Sequence, residues 1–147
     1  MNEVTTVQTI LPAHPTPRAC WMVVDDDEGV LHFLASLLES LGVAEVHRFQ
    51  NGDEALAAFH RAPERFQFVV TDLEMPGMNG IELCRRLRAV APELKVVLAT
   101  GSATVCETGA GRCGFFGLLA KPFPAAALWR MVEAAGVLHR PGYNAHN

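Results

Sequence analysis

The sequence predicts an α/β fold: a parallel sheet of five strands with helices on both faces. Three observations carry that expectation. Five short β-prone runs are strung along the 147 residues, with stretches of helical period between them. Most of these runs are apolar at successive positions, which suits strands buried on both faces. The connections are short, so each helix returns the chain to the same side and the strands lie parallel, their carboxyl ends on one edge. The length suits one domain.

Residues 1–19 are polar, with Pro12, Pro15 and Pro17 at close intervals, and read as an irregular leader. CWMVV at 20–24 is the first strand and runs into Asp25, Asp26 and Asp27. A helical period then starts at Val30, with Leu34, Leu37, Leu38 and Leu41 on one face; Asp27 suits its N-cap and Gly42 its end. Residues 44–49 make a more polar strand, as expected at a sheet edge. Asn51-Gly52 opens a small Ala-rich helix with Leu56 and Phe59 inward, ended by Pro63.

The central strand, residues 68–71, carries no charge, and Asp72 stands where its apolar run stops. Met75-Pro76, Gly77 and Gly80 require a turn before a helix that starts at about Ile81, with Leu83, Leu87 and Val90 on its apolar side. KVVLAT at 95–100 is the fourth strand. Five glycines then fall within 101–117, each costing a helix interior about 1 kcal/mol, so 103–116 is expected to be irregular or a short helix. A short fifth strand, 118–120, ends at Lys121-Pro122-Phe123. Pro124 opens a last helix whose inner face carries Leu128, Met131, Val132 and Ala135, and 139–147 read as a polar tail.

Half the residues are apolar and 19% charged, which provides a core and excludes global disorder. A net charge of −4, with no cluster of Lys and Arg beyond a solvated helix face, argues against a nucleic-acid partner. Cys20, Cys84, Cys106 and Cys113 include no CxxC pair and read as reduced core thiols, not as a zinc site or a disulfide framework; the six histidines show no ligand spacing. No signal peptide and no membrane-length apolar run is present, so a cytoplasmic protein without membrane contact is expected. The GxGxxG match at 109–114 does not directly follow a strand, and the dinucleotide reading is set aside.

The strand ends bring Asp25, Asp26, Asp72, Thr100 and Lys121 to one edge, the usual place for chemistry in an open parallel sheet. Gathered carboxylates repel and need a cation or protons. Oxygen-only ligands favour Mg²⁺. A carboxylate can also act as a nucleophile, and a phosphoryl group on it needs Mg²⁺, an ammonium and a hydroxyl donor around its oxygens. The residues themselves therefore read as a Mg²⁺-dependent phosphoryl acceptor.

VVDDDE at 23–28, VVTDLEMPGMNG at 69–80, LATGS at 98–102 and LAKPF at 119–123, in this order and spacing, resemble the receiver domain of bacterial two-component response regulators over residues 20–138. The resemblance implies a flavodoxin-like doubly wound sheet of order 2-1-3-4-5. It implies phosphorylation of Asp72, Mg²⁺ held by Asp25, Asp26, Asp72 and the backbone carbonyl of Glu74, with Asp26 the direct ligand of the acidic pair, and roles for Thr100 and Lys121 at the phosphoryl oxygens. A cis Lys121–Pro122 peptide is also implied, and Gly101 leaves phosphate a path in. The pattern departs at Leu118, where the family carries an aromatic three residues before the lysine; Phe115 and Phe116 lie at other offsets.

The function expected is that of a stand-alone, monomeric phosphoacceptor. It would be loaded by a sensor histidine kinase or a histidine phosphotransfer protein and read by an unknown downstream protein, with no enzymatic activity beyond its own phosphorylation and dephosphorylation. One alternative is a small aspartate-nucleophile phosphatase, suggested by the DxD at 25–27, although Gly29 replaces the Thr or Val of such enzymes and a later acidic pair is missing. Another is a docking module that works without phosphorylation.

Overall fold

The computed structural model describes residues 18–101 and 113–138. Its elements are β1 (Cys20–Val24), α1 (Glu28–Glu39), β2 (Glu45–Phe49), α2 (Gly52–Arg61), a 3-10 turn at Pro63–Arg65, β3 (Phe66–Asp72), α3 (Gly80–Val90), β4 (Lys95–Thr100), β5 (Gly117–Ala120) and α4 (Ala125–Ala135). The five strands form one sheet in the order β2-β1-β3-β4-β5, every neighbouring pair parallel, as the resemblance implies. The strand order reverses at β1 and β3, so a crevice opens at their carboxyl ends.

Alternation along β1 divides the core in two. Cys20, Met22 and Val24 face a cluster with Ala55 and Phe59 of α2 and Ile81, Leu83, Cys84 and Leu87 of α3. Trp21 and Val23 face Leu31, Leu34, Ala35 and Leu38 of α1 and Leu128 and Val132 of α4. The period of two in the strands thus puts a helix pair on each side. In β3 the alternation slips once: Cys20 pairs with Phe66 but Trp21 pairs with Phe68. Gln67 is the extra residue, and it puts Phe66 and Phe68 in opposite core clusters although both are even-numbered.

The starts of α1, α2 and α3 are fixed by side-chain caps. Asp27 Oδ1 accepts from the Val30 N–H at 3.1 Å, Asn51 Oδ1 from the Glu54 N–H at 2.8 Å, and Asn79 Oδ1 from the Glu82 N–H at 2.9 Å. Gly42 follows α1 at φ 66°, where its N–H reaches the Glu39 carbonyl at 3.0 Å.

Several expected boundaries move. β3 starts at Phe66 and includes Asp72; β2 starts at Glu45; α4 starts at Ala125, with Pro124 as its N-cap residue. Val90, expected on the apolar side of α3, is 48% exposed: Leu87 and Ala91 carry the core contact at this end of the helix, and Val90 lies at the flank of that face. Trp129 is half-buried against the α1–α4 side of the core. Leader residues 1–17, the tail 139–147, residues 102–112 of the glycine-rich segment, Cys106 and most of the GxGxxG match lie outside the described residues; 113–116 form a turn and bend. No helix among the described residues is long and apolar enough to cross a membrane.

Candidate functional site at the carboxyl edge of the sheet

The strand ladder itself assembles the site. Asp25 leaves β1 with its N–H on the Phe49 carbonyl at 3.1 Å, which holds it against the end of β2, and it is 1% exposed. Asp72 ends β3 opposite Ala99, and the Leu73 N–H continues the ladder to the Ala99 carbonyl at 2.9 Å. Thr100, the next residue of β4, is buried, and its carbonyl takes the Lys121 N–H at 2.8 Å. Lys121 therefore enters from the far side of the crevice. The Lys121–Pro122 peptide is cis.

Asp25, Asp26 and Asp72 each bring a carboxylate oxygen within 4.8 Å of the other two. Asp26 sits exposed at the rim, whereas Asp25 and Asp72 are buried. Lys121 Nζ lies between the buried pair, 2.8 Å from Asp25 Oδ2 and 3.4 Å from Asp72 Oδ1. Two backbone donors complete the arrangement: the Asp27 N–H to Asp25 Oδ1 at 2.9 Å and the Glu74 N–H to Asp72 Oδ1 at 3.4 Å.

The loop after Asp72 depends on two glycines. Gly77 has φ 77°, a conformation that L side chains rarely adopt. At Gly80 a Cβ would strike the Asp72 carbonyl oxygen and approach the Leu73 Cα to 3.0 Å, so only glycine lets α3 start against the end of β3. Met75 is buried in the α2–α3 side of the core and Met78 is half-buried against it, as loop-packing residues.

Burial pushes the Asp72 carboxyl above the usual carboxylate range; Lys121 and the Glu74 N–H oppose that, and the charge of Asp25 adds to it. For Lys121, burial works against the ammonium, but the hydrogen bond and charge of Asp25, with the charge of Asp72, outweigh it and raise its pKa. Three carboxylates thus meet one ammonium, leaving an excess of negative charge in a partly buried pocket. Oxygen donors and uncompensated negative charge are what a hard divalent cation of the Mg²⁺ type requires, so the residues fit one.

Sequence reasoning named every side chain in this cluster. It missed the Asp27 and Glu74 N–H groups, which no residue-type pattern announces, and the closer pairing of Lys121 with Asp25 than with Asp72. Leu118, at the aromatic position of the family, is 37% exposed on the edge strand β5, while Phe115 and Phe116 pack against opposite core clusters. Beside Lys121 an open apolar cleft of about 310 Å³ is lined by Val30, Phe33, Pro122 and Phe123.

Comparison with known proteins agrees with this geometry. Residues 21–133 match the family model of the response regulator receiver domain. The chain is 35% identical over 115 residues to the response regulator receiver protein CpdR of Brucella abortus, covering 76% of this chain and 92% of that protein. It is 34% identical over 115 residues to the chemotaxis protein CheY of Pseudomonas aeruginosa, covering 76% and 91%. The crystal structure of the response regulator TrrA of Thermotoga maritima in complex with Mg²⁺-BeF superposes with a TM-score of 0.71 at 26% identity, covering 80% of this chain and 98% of that one. The chain belongs to the response regulator receiver domain family of two-component systems.

Proposed function

We propose that Asp72 is the phosphoacceptor of a phosphorelay, loaded by a sensor histidine kinase or a histidine phosphotransfer protein and read by a downstream protein through contact. The observation that carries this reading is the placement of Asp72 at the end of β3 with buried Asp25 beside it and Lys121 Nζ 3.4 Å from its Oδ1. Asp25, Asp26, Asp72 and the Glu74 backbone carbonyl would hold Mg²⁺, which when bound neutralises charge on the phosphoryl oxygens.

In the transfer, an Asp72 carboxylate oxygen attacks the phosphorus of a phosphoimidazole. The P–N bond breaks, the imidazole takes up a proton, and an acyl phosphate forms on Asp72. Lys121, already shared between the two buried carboxylates, is placed to follow the negative charge outward onto the phosphoryl group. The Thr100 hydroxyl, on the adjoining strand end, donates to a phosphoryl oxygen. Glu74 tunes the lifetime of the adduct, and Ser102, which lies outside the described residues, is given the same role by its sequence position alone. The apolar cleft beside Lys121 offers the donor protein a surface next to the reacting carboxylate.

Receiver domains are generally signalling domains, not enzymes; catalysis here is confined to the chain's own phosphorylation and dephosphorylation. A cytoplasmic, monomeric protein that signals by protein contact belongs to the same reading. Acetyl phosphate with Mg²⁺ tests it. Stoichiometric, base-labile labelling supports the phosphoacceptor, whereas steady turnover of the donor supports a phosphatase. Partner binding retained in Asp72→Ala would point to a docking module instead.

A further inference from the structure

We propose a second metal site of a different chemical class, formed by Cys20, Glu45 and His47 at the amino-terminal rim of the sheet. β1 and β2 pair in parallel with Cys20 beside Glu45 and Met22 beside His47, so the three donor residues share one face. One donor atom from each lies within 4.8 Å of the other two. Cys20 opens β1, and about five residues of strand, roughly 16 Å, separate it from Asp25 and the acidic pocket. No local sequence spacing reveals the set, because its members come from two strands brought together by the sheet.

The atoms around the cluster are arranged as a ligand set needs. His47 Nε2 is buried, makes no hydrogen bond, and stands 3.6 Å from Glu45 Oε1. A buried ring nitrogen that makes no hydrogen bond, and has only the loose 3.6 Å approach of Glu45, is costly unless something occupies it. The imidazole is oriented by an edge-on contact with Phe66, ring centroids 5.6 Å apart. Glu45 Oε2 accepts a hydrogen bond from Arg65 Nη2 at 3.2 Å, the outer contact that fixes a ligating carboxylate while leaving Oε1 to face the imidazole. The Cys20 thiol is buried, and its weak contact is with the Arg18 carbonyl at 3.9 Å. β2 is an edge strand and the Glu45 side chain is 52% exposed, so solvent reaches the cluster from that side.

Thiol, imidazole and carboxylate together select a borderline cation such as Zn²⁺ and not Mg²⁺. Burial raises the Cys20 pKa, helped by Glu45 and opposed by Arg65, so the free site holds a protonated thiol. Binding forms the metal–sulfur bond and releases that proton to solvent. One divalent ion with a thiolate, a carboxylate and a neutral imidazole is electrically neutral, which suits a half-buried rim. Occupancy would tie the edge strand β2 to the first residue of β1.

The test uses Co²⁺ as an optical probe and Zn²⁺ as competitor on the full chain carrying Asp26→Asn, which weakens the oxygen-only pocket. A thiolate-to-cobalt charge-transfer band at one equivalent, bleached by Zn²⁺, is expected. Cys20→Ser and His47→Gln should each abolish the band or weaken binding at least about tenfold, while Cys106→Ser leaves it intact. His47→Gln lies on the half-exposed edge strand and keeps the test decisive should Cys20→Ser unfold the core. Zn²⁺ should also raise the melting temperature of the parent and not of His47→Gln. No band, a band that survives both variants, or a band lost in Cys106→Ser overturns the assignment.

Discussion

Replacing Lys121 by Met keeps most of the stem and removes the ammonium that lies between the two buried carboxylates. The lysine side chain is 24% exposed and that of Asp25 1%, with Nζ contacts of 2.8 Å to Asp25 and 3.4 Å to Asp72. At an effective dielectric constant of about 20, each contact carries roughly 5–6 kcal/mol of gross attraction, most of it offset by desolvation and by carboxylate repulsion. Removing one partner of a fully buried pair costs about 3–5 kcal/mol; the partial exposure of Lys121 brings the expected loss to about 2–3 kcal/mol in Mg²⁺-free buffer. With a urea slope of about 1.5 kcal/mol/M, the unfolding midpoint falls by about 1.3–2 M. Saturating Mg²⁺ gives the same carboxylates another source of positive charge, so the gap between wild type and variant should shrink to less than half. The pH dependence has a definite sign. The folded pKa of Lys121 is raised above 10.5, so its contribution is fully present below the unfolded value and is lost only as pH rises through the higher folded value. A variant as stable as wild type without Mg²⁺, or a gap that Mg²⁺ leaves unchanged, refutes the reasoning.

Three further outcomes are expected. Asp26→Ala should weaken Mg²⁺ binding more than Asp25→Ala, because Asp26 faces the rim while Asp25 is engaged by Lys121 and the Asp27 N–H; calorimetric titration with Mg²⁺ reads the order directly. Gly80→Ala should destabilise the fold by about 1–3 kcal/mol, since the new methyl meets backbone that cannot give way, and it should slow labelling of Asp72 by shifting its loop; urea unfolding and labelling rates check both effects. Mg²⁺ affinity should decline on acidification from a higher pH than an ordinary aspartate would give, because protons compete for Asp72, whose carboxyl is raised by burial and by Asp25. Titrations across the acid range test this, and Asp72→Asn should flatten the decline.

Much of this architecture was legible because the strands of a doubly covered sheet carry their own signature. The apolar runs at Cys20–Val24 and Lys95–Thr100 coincide with β1 and β4, and Asp27 caps α1 as its position suggested. The site was legible for a related reason: in a parallel sheet, residues just past the strands must converge, so Asp25, Asp72 and Lys121 could be grouped without coordinates. What escaped depends on register and depth. The extra residue at Gln67 reverses the side that Phe66 faces, and no local pattern around it reports the pairing with Cys20. Val90 fits the helical period but sits at the flank of the buried stripe, where Leu87 and Ala91 already cover the core. The Cys20–Glu45–His47 cluster was hidden for the converse reason: Glu45 and His47 alternate along β2, but Cys20 joins them only through the pairing of β1 with β2.

The central claim is that Asp72, and no other carboxylate of the cluster, takes the phosphoryl group. Intact-protein mass spectrometry after incubation with acetyl phosphate and Mg²⁺, followed by borohydride reduction and peptide mapping, addresses it residue by residue. One adduct per chain, reduced to homoserine at position 72 and absent from Asp72→Asn, is the predicted result. An adduct of equal yield in Asp72→Asn, or one mapped to position 25 or 26, would contradict it.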